Sequence, residues 1–230
     1  MSRQKILVLP GSSGRNGSDR YEQVYATIER EAGRRDYDCR VISYPGQGGK
    51  MSGLLNYSSA LATTLMACHE FNPDRLIGRS FGCVVAAGAL GSEDEWVNKC
   101  KEAILWGPGF RATLDRLFST TEKKLEAIKG FADYDTFLSP DYFDTLPSIE
   151  NLIGIAKCNL RIARGSGDKY NTKDDLNYLA AVHHRMQPGY SREVVEVSGL
   201  IHEVIQAEVS SEELLARYFG CLFDPIIVNT

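Results

Sequence analysis

The sequence lacks several features that mark whole classes of proteins. Its longest apolar run, residues 83–90, contains Gly88 and is much shorter than the roughly 18 residues of a membrane-spanning helix. The apolar start at residues 6–9 ends at Pro10, too early for the core of a signal peptide. No long basic run occurs and the net charge is −4 at pH 7, so the electrostatic pattern of a nucleic-acid-binding protein is missing. We therefore expect a soluble protein without a membrane span or a nucleic-acid partner.

Signals for disulfides, metals and nucleotides are also missing. The 6 cysteines form no C-x-x-C pair and most lie in apolar segments, which indicates free thiols in a reducing compartment such as the cytoplasm. No group of His, Cys, Asp and Glu has the spacing of metal ligands. The glycines of residues 11–18 do not follow G-x-G-x-x-G, and the segment has no P-loop lysine. The sequence thus predicts a cytoplasmic protein that needs no metal or cofactor.

Alternating apolar and amphipathic segments fill the rest of the 230 residues. The alternation predicts a mostly parallel six-stranded sheet with helices on both faces, in one domain spanning residues 1–230. The predicted strands, each a short apolar run beside Gly or Pro, are residues 5–9, 39–44, 75–78, 103–106, 160–163 and 194–197. The predicted helices include Tyr21 to Ile28 with Ser18 or Asp19 as N-cap, Leu54 to Cys68, Leu176 to Val182, and Leu214 to Phe219.

One segment, about residues 110–155, interrupts this alternation. It shows helical patches but no clear strand, and it is rich in aromatic and acidic residues. We interpret it as a small helical cap inserted after the fourth strand and not as a second domain. We call these residues the cap segment.

A G-x-S-x-G pattern occurs once, at residues 78–82, with Ser80 at its centre. The residues before it predict the end of a buried strand, and those after it predict the start of a helix. A serine on such a sharp turn is held exposed at the sheet edge above a helix N-terminus, as a nucleophile requires. The alternative is a helix N-cap serine beside packing glycines.

With this pattern the chain resembles the α/β-hydrolase family over nearly its whole length. The second strand ends in YPGQG (residues 44–48), similar to the family's Pro-Gly-x-Gly turn, and the first ends in PGSSG (residues 10–14), where the family has its oxyanion loop. Two departures are Pro10, where His is usual, and Arg79, where His is common before the nucleophile. The resemblance implies the strand order 2-1-3-4-5-6, with the first two strands of larger members absent.

The resemblance also implies a base and an acid for Ser80. The family places its histidine after the last strand, where this chain has His202, with His184 as the fallback. His183 and His184 are consecutive residues of a predicted helix and are expected on a solvated face. It places its carboxylate in a Gly-x-x-Asp turn, which matches residues 165–168 and selects Asp168. The alternative is that Asp168 only organises this glycine-rich turn.

Oxyanion stabilisation and substrate binding fall to other residues. The backbone N–H groups of Phe81 and of Ser12, or alternatively Ser13, are the expected oxyanion donors. The expected substrate contacts are Arg79, Phe110, Phe131, Tyr134 and Phe137. The cap aromatics either cover Ser80 or simply pack the cap onto the sheet, and Arg79 and Arg111 either meet an acidic group or form surface salt bridges.

The resulting hypothesis is a serine hydrolase that cleaves a small-molecule carboxylic ester or thioester through an acyl-enzyme on Ser80. An acyltransferase or cyclase using the same triad with a non-water acceptor is the alternative. A second alternative is a non-catalytic protein of the same fold that binds a small molecule. The sequence leaves the natural substrate and the oligomeric state open.

Overall fold

A parallel six-stranded sheet forms the centre of the part of the chain that the structure, a computed structural model, describes. That part comprises residues 3–12, 19–48, 53–133, 135–202 and 212–226, with the backbone alone for residues 19–23. The strand order is β2-β1-β3-β4-β5-β6, as predicted. The strands are β1 (Lys5–Leu9), β2 (Asp38–Val41), β3 (Arg75–Arg79), β4 (Glu102–Trp106), β5 (Asn159–Gly165) and β6 (Arg192–Val197).

Most strand limits lie within two residues of the sequence prediction, and the differences at the ends of β2 and β5 have a clear cause. β2 ends at Val41 and not at residue 44, because Tyr44 accepts a turn hydrogen bond from the Gln47 N–H and the chain leaves the sheet. β5 continues to Gly165, since its last residues pair with β6 up to Val197. The central strands β3 and β4 are in register from Arg75 and Glu102 to Arg79 and Trp106.

Helices cover both faces of the sheet. In the described ranges they are α1 (Asp19–Arg34), α2 (Tyr57–Phe71), α3 (Phe81–Leu90), α4 (Arg111–Leu117), α5 (Thr121–Ala132), α6 (Tyr142–Thr145), α7 (Ile149–Ile153), α8 (Lys173–Met186) and α9 (Glu212–Phe223). Helices α1 and α9 share one apolar core with the sheet, and α2, α3, α7 and α8 share the other. None of the described helices has the length and apolar character of a membrane span.

The helix prediction was wrong at Leu54, which lies outside α2. The helix begins at Tyr57 because Asn56 caps it, accepting from the Ser59 N–H at 2.8 Å, while the Ser59 hydroxyl accepts from the Asn56 N–H in return. Leu54 is 48% exposed. The other predicted helices are present, although Ser18 lies outside the described residues.

The cap segment forms α4 to α7 between β4 and β5. It also adds two isolated strand bridges, in which Thr136 pairs with Gln47 and Leu138 pairs with Leu55. The cap segment is therefore joined to the loop after β2 by backbone hydrogen bonds as well as by side-chain packing.

All six cysteines are free, and only Cys39 is partly accessible. Burial raises the pKa of the Cys100 and Cys221 thiols to about 12. It raises the pKa values of the Cys68, Cys83 and Cys158 thiols as well. These thiols therefore stay protonated in the folded protein.

Candidate active site

Ser80 occupies a strained turn between β3 and α3. Its φ and ψ are 50° and −116°, values that residues with a side chain rarely adopt. The turn is fixed by the Ser80 N–H, which donates to the Trp106 carbonyl at 2.9 Å, and by the Ser80 carbonyl, which accepts from the Cys83 N–H at 2.9 Å. Such a turn presents the hydroxyl at the sheet edge above the N-terminus of α3.

Both glycines of the motif are required, because a side chain at either position would clash with neighbouring backbone atoms. A Cβ on Gly78 would lie 2.7 Å from the Gly82 carbonyl oxygen and 2.8 Å from the Cys83 Cα. A Cβ on Gly82 would lie 2.2 Å from the Leu9 carbonyl oxygen. The motif therefore lets α3 approach both its own strand and the end of β1, which brings Ser80 beside the loop after β1.

Asp168 lies in the turn after β5 with its side chain fully buried. Its Oδ1 accepts from the backbone N–H of Tyr170 at 2.8 Å and of Asn171 at 3.3 Å, and its Oδ2 accepts from Asn171 Nδ2 at 3.0 Å. Burial by itself raises the pKa of the carboxyl, but the hydrogen bond and charge of His202, with the Asn171 and Tyr170 donors, outweigh it. The net pKa of Asp168 is lowered, so this carboxylate remains ionised.

His202 follows β6 and meets Asp168 across the sheet edge. Its Nδ1 lies 2.9 Å from the Asp168 Oδ2, so Nδ1 carries the proton that it donates and Nε2 is left without a proton. The Trp106 indole N–H donates to the His202 carbonyl at 3.4 Å. The Tyr170 and His202 rings pack edge to face with their centroids 4.9 Å apart. Gly107, with φ 58°, leaves space for the ring, because a Cβ there would lie 2.8 Å from the His202 Nδ1.

The other three histidines lie elsewhere. His69 is exposed beside Asp94, and His184, the fallback base, lies next to Arg192 and does not line the cavity of Ser80. The prediction of a solvated face for His183 was wrong. This residue is fully buried, and its Nε2 lies 2.9 Å from the Ala156 carbonyl oxygen, because α8 turns this side towards the loop after α7.

The two predicted oxyanion donors, the N–H groups of Phe81 and Ser12, belong to residues that line the same cavity as Ser80. Phe81 is the first residue of α3, so its N–H has no acceptor within the helix. Ser12 lies in the loop after β1 and lines the same cavity as Ser80. Ser13, the alternative donor, lies outside the described residues.

Ser80, His202 and Ser12 line one cavity of about 210 Å³ beneath the cap segment. Three of the predicted substrate contacts, Arg79, Phe110 and Phe131, are part of its wall. Its apolar lining is provided chiefly by Val84, Phe110, Leu114, Leu117, Phe118, Phe131, Phe143 and Leu146. The cavity therefore suits an apolar group placed against the serine.

Phe137 does not line this cavity, which corrects the prediction: its backbone pairs with Gly46 and Leu55, and its side chain is 45% exposed. Tyr134 lies outside the described residues. Arg79 lines the cavity and is buried, with its guanidinium 5.4 Å from the Tyr25 ring centroid.

Arg111 does form a surface salt bridge. Its Nε lies 2.9 Å from the Asp115 Oδ1. Its guanidinium also donates to the carbonyls of Phe143 and Leu146 at 2.9 and 3.0 Å, which ties α4 to the end of α6. Among the described residues, no cluster of three or more His, Cys, Asp or Glu side chains could hold a metal ion.

Sequence reasoning missed the residues that support this site. Gly107 and Asn171 have no motif that marks them, although Gly107 stands directly after a predicted strand. Tyr142 was noted only as one of the cap aromatics, yet its hydroxyl lies 2.6 Å from the Ser12 Oγ. Gln47 was part of a quoted motif, but its side-chain role depends on a turn that no pattern revealed.

Comparison with known proteins supports the fold. No protein-family model and no curated protein sequence matches the chain, whereas 652 solved chains match its structure. A Pyrococcus furiosus esterase has a TM-score of 0.65 at 17% identity, over 96% of this chain and 80% of that one. A thioesterase domain from the curacin biosynthetic pathway has a TM-score of 0.63 at 15% identity, over 96% and 91%. An N-formylmaleamic acid deformylase from Pseudomonas putida has a TM-score of 0.60 at 13% identity, over 88% and 87%.

These similarities extend over most of each chain at low sequence identity, so the architecture is what they share. The strand order β2-β1-β3-β4-β5-β6 is the order that the motifs predicted. The chain has the α/β-hydrolase fold that its motifs predicted.

Proposed function

We propose that the protein is a serine hydrolase that cleaves a carboxylic ester or thioester through an acyl-enzyme on Ser80. One observation carries the proposal. Ser80, on its strained turn, shares a cavity with His202, whose Nδ1 is hydrogen-bonded to the buried Asp168 carboxylate. A serine, a base and an orienting carboxylate in this relation are the groups that acyl transfer requires.

In the proposed reaction the Ser80 Oγ attacks the substrate carbonyl carbon while the His202 Nε2 takes the hydroxyl proton. Asp168 stabilises the imidazolium, and the N–H groups of Phe81 and Ser12 stabilise the oxyanion. The C–O or C–S bond then breaks, and the alcohol or thiol leaves with the proton from His202. Water repeats the sequence on the acyl-enzyme, releasing the carboxylic acid and free Ser80.

The cavity supports a substrate with an apolar acyl or aryl portion. Its wall beneath the cap segment is apolar, including Phe110 and Phe131, and burying each CH₂ group there stabilises the complex by about 0.8 kcal/mol. Arg79 is the charged side chain of the wall, and we assign to it the polar or acidic end of the substrate.

A fluorophosphonate probe tests the nucleophile. The intact protein gains the mass of one adduct, peptide mapping places it on Ser80, and Ser80→Ala takes none. Ser92→Ala, which changes a serine outside the site, keeps wild-type labelling. A wild-type protein that takes no adduct, or a Ser80→Ala variant that still does, refutes the proposal and favours a binding protein of this fold.

Product analysis distinguishes hydrolysis from acyl transfer. The protein is incubated with nitrophenyl esters or thioesters, with and without an added alcohol or amine. Free acid as the main product in both cases supports the hydrolase. Esters or amides that replace the acid at low acceptor concentration indicate the acyltransferase or cyclase instead.

A further inference from the structure

We propose that Gln47 is a positioning residue that aims the Ser12 N–H at the oxyanion. The inference rests on the proposed acyl-enzyme function and adds a residue that does not touch the substrate. A turn brings the Gln47 side chain beneath the loop after β1, where it binds the backbone carbonyls of Gly11 and Ser12. In the described part of the chain, the Ser12 N–H of that loop is left without an acceptor.

The turn at residues 44–47 brings Gln47 under the loop after β1. The Gln47 N–H donates to the Tyr44 carbonyl at 3.2 Å, and Gly46 has a φ of 80°, as the third residue of a type II turn after Pro45 requires. Space also demands glycine there, since a Cβ on Gly46 would lie 2.6 Å from the Leu55 nitrogen. The Gln47 side chain is consequently fully buried between the sheet and the cap segment.

Every hydrogen-bonding group of the Gln47 amide is used. Nε2 donates to the carbonyl oxygens of Gly11 and Ser12, each at 2.9 Å, and Oε1 accepts from the Tyr44 N–H at 2.9 Å. A fully satisfied buried amide holds its partners firmly, because breaking any of these bonds leaves a polar group unpaired away from water.

The anchored carbonyl of Gly11 fixes the direction of the Ser12 N–H. The peptide bond between them is planar and trans, so its C=O and N–H point in opposite directions. Because Gln47 holds the carbonyl, the Ser12 N–H points away from Gln47. The preceding peptide is also fixed, since the Gly11 N–H donates to the Tyr25 hydroxyl at 3.0 Å.

The Ser12 N–H is thereby left available beside the nucleophile. Within the described ranges no hydrogen bond engages it, whereas the N–H and C=O of Gly11 and the C=O of Ser12 are all engaged. Gly11 is close enough to Ser80 that a Cβ on Gly11 would lie 3.4 Å from the Ser80 Cβ. Among the described residues of this loop, the Gln47 amide thus leaves the Ser12 N–H as the backbone donor that can serve the oxyanion.

The test compares two variants at Gln47 with the wild type. Gln47→Met keeps the length and removes the whole amide, and Gln47→Glu keeps the acceptor for the Tyr44 N–H while removing both donors. We expect kcat on a nitrophenyl ester to fall about 10- to 100-fold, since losing one oxyanion donor costs about 10²- to 10³-fold, with KM changed less than about twofold. Affinity for an alkylboronic acid, which forms a tetrahedral adduct on Ser80, falls by the same factor as kcat.

Leu179→Ala is the control for a general loss of stability, because it truncates a buried side chain of α8 away from Gln47. This variant lowers the melting temperature but keeps kcat and boronic acid affinity. Gln47 variants that are folded and keep wild-type kcat overturn the inference while leaving the hydrolase proposal intact. A wild type that takes no fluorophosphonate and hydrolyses no ester refutes the hydrolase itself, and the inference with it.

A measurement on the wild type covers the case in which neither variant folds. The ¹⁵N and ¹H resonances of the Ser12 amide are followed while the boronic acid is added. A hydrogen bond to the boronate oxygen moves the Ser12 amide proton downfield, and that shift supports the inference. An unshifted Ser12 amide in the saturated complex overturns it.

Discussion

His202 and Asp168 are joined by a 2.9 Å hydrogen bond from Nδ1 to Oδ2 although 34 residues separate them in the chain. They meet because β5 and β6 are adjacent parallel strands, so the loops that follow them leave the sheet at the same edge. Gly165 allows this meeting, since a Cβ there would lie 2.2 Å from the Leu200 carbonyl oxygen. The close approach of the His202 imidazole to the Asp168 carboxylate therefore follows from the pairing of β5 with β6.

Asp168→Asn is expected to lower kcat about 10³- to 10⁴-fold with little change in KM, since an amide no longer holds the required tautomer or stabilises the imidazolium. Steady-state kinetics on a nitrophenyl ester measures the effect. Asp174→Asn, on the exposed first turn of α8, is the matched control and keeps wild-type kcat. Equal activity of the two variants would show that the Asp168 carboxylate takes no part in the reaction.

Gly107→Ala is expected to reduce both activity and stability, because its φ of 58° disfavours a side chain and its Cβ would press against the His202 ring. We expect at least a tenfold loss of kcat, as small displacements of catalytic groups are costly. The control is Gly189→Ala, where a Cβ meets nothing within 4 Å. A Gly107→Ala variant with unchanged kinetics would show that the ring does not need this space.

Tyr142→Phe removes the hydroxyl that lies 2.6 Å from the Ser12 Oγ. One hydrogen bond contributes about 1 kcal/mol, so kcat should fall about fivefold if the bond steadies the loop after β1. Tyr178→Phe, at a position 56% exposed on α8, is the control. If both variants match the wild type, the cap segment does not support the loop through this hydroxyl.

Leu117→Trp is expected to shorten the preferred acyl chain, because it adds volume to the apolar wall of a cavity of only about 210 Å³. A panel of nitrophenyl esters and thioesters of increasing chain length measures the optimum of kcat/KM. Activity on the shortest ester should be retained. A variant with the wild-type profile would place the acyl group in another part of the cavity.

The buried His183 predicts a loss of stability in mild acid. Burial lowers its pKa, and the charges of Arg192 and His184 lower it further, whereas its hydrogen bond to Ala156 acts the other way. A base with a lowered folded-state pKa contributes full stability above its unfolded pKa of about 6.5, and that stability is lost as the pH falls from there through the folded-state value.

Denaturant unfolding between pH 8 and 5 measures this loss. His183→Gln keeps a donor for the Ala156 carbonyl but cannot be protonated, so its stability should change less over this interval than that of the wild type. His69→Gln, on the exposed end of α2, should follow the wild-type curve. Parallel curves for the wild type and His183→Gln would contradict the assignment.

The sheet was predictable because buried parallel strands and glycine-bounded turns leave a strong local pattern. Ser80 was marked by the two glycines that its turn requires, and the strand order followed from the resemblance. Phe137 and His183 were misplaced for a different reason: which side of a short segment is buried depends on what the rest of the chain packs against it. Composition placed Phe137 with the cap aromatics, but its backbone bridge to Gly46 turns the side chain to solvent.

The supporting residues around the site were the least predictable. Gln47 acts through side-chain hydrogen bonds to Gly11 and Ser12, which are far away in the sequence. Asn171 acts through a side-chain hydrogen bond to the nearby Asp168, and neither residue has a periodicity or a motif of its own. Their roles appear only once the loops after β1, β2 and β5 are brought to one edge of the sheet.

The buried thiols described above provide the protein with an internal reporter of unfolding. A thiol reagent reacts with the thiolate, and five of the six cysteines are shielded and protonated in the folded chain. Molecules that open globally expose all six, so the mass gained in a brief pulse of reagent counts opened molecules directly. The rate of opening can thus be followed without a chromophore or a substrate.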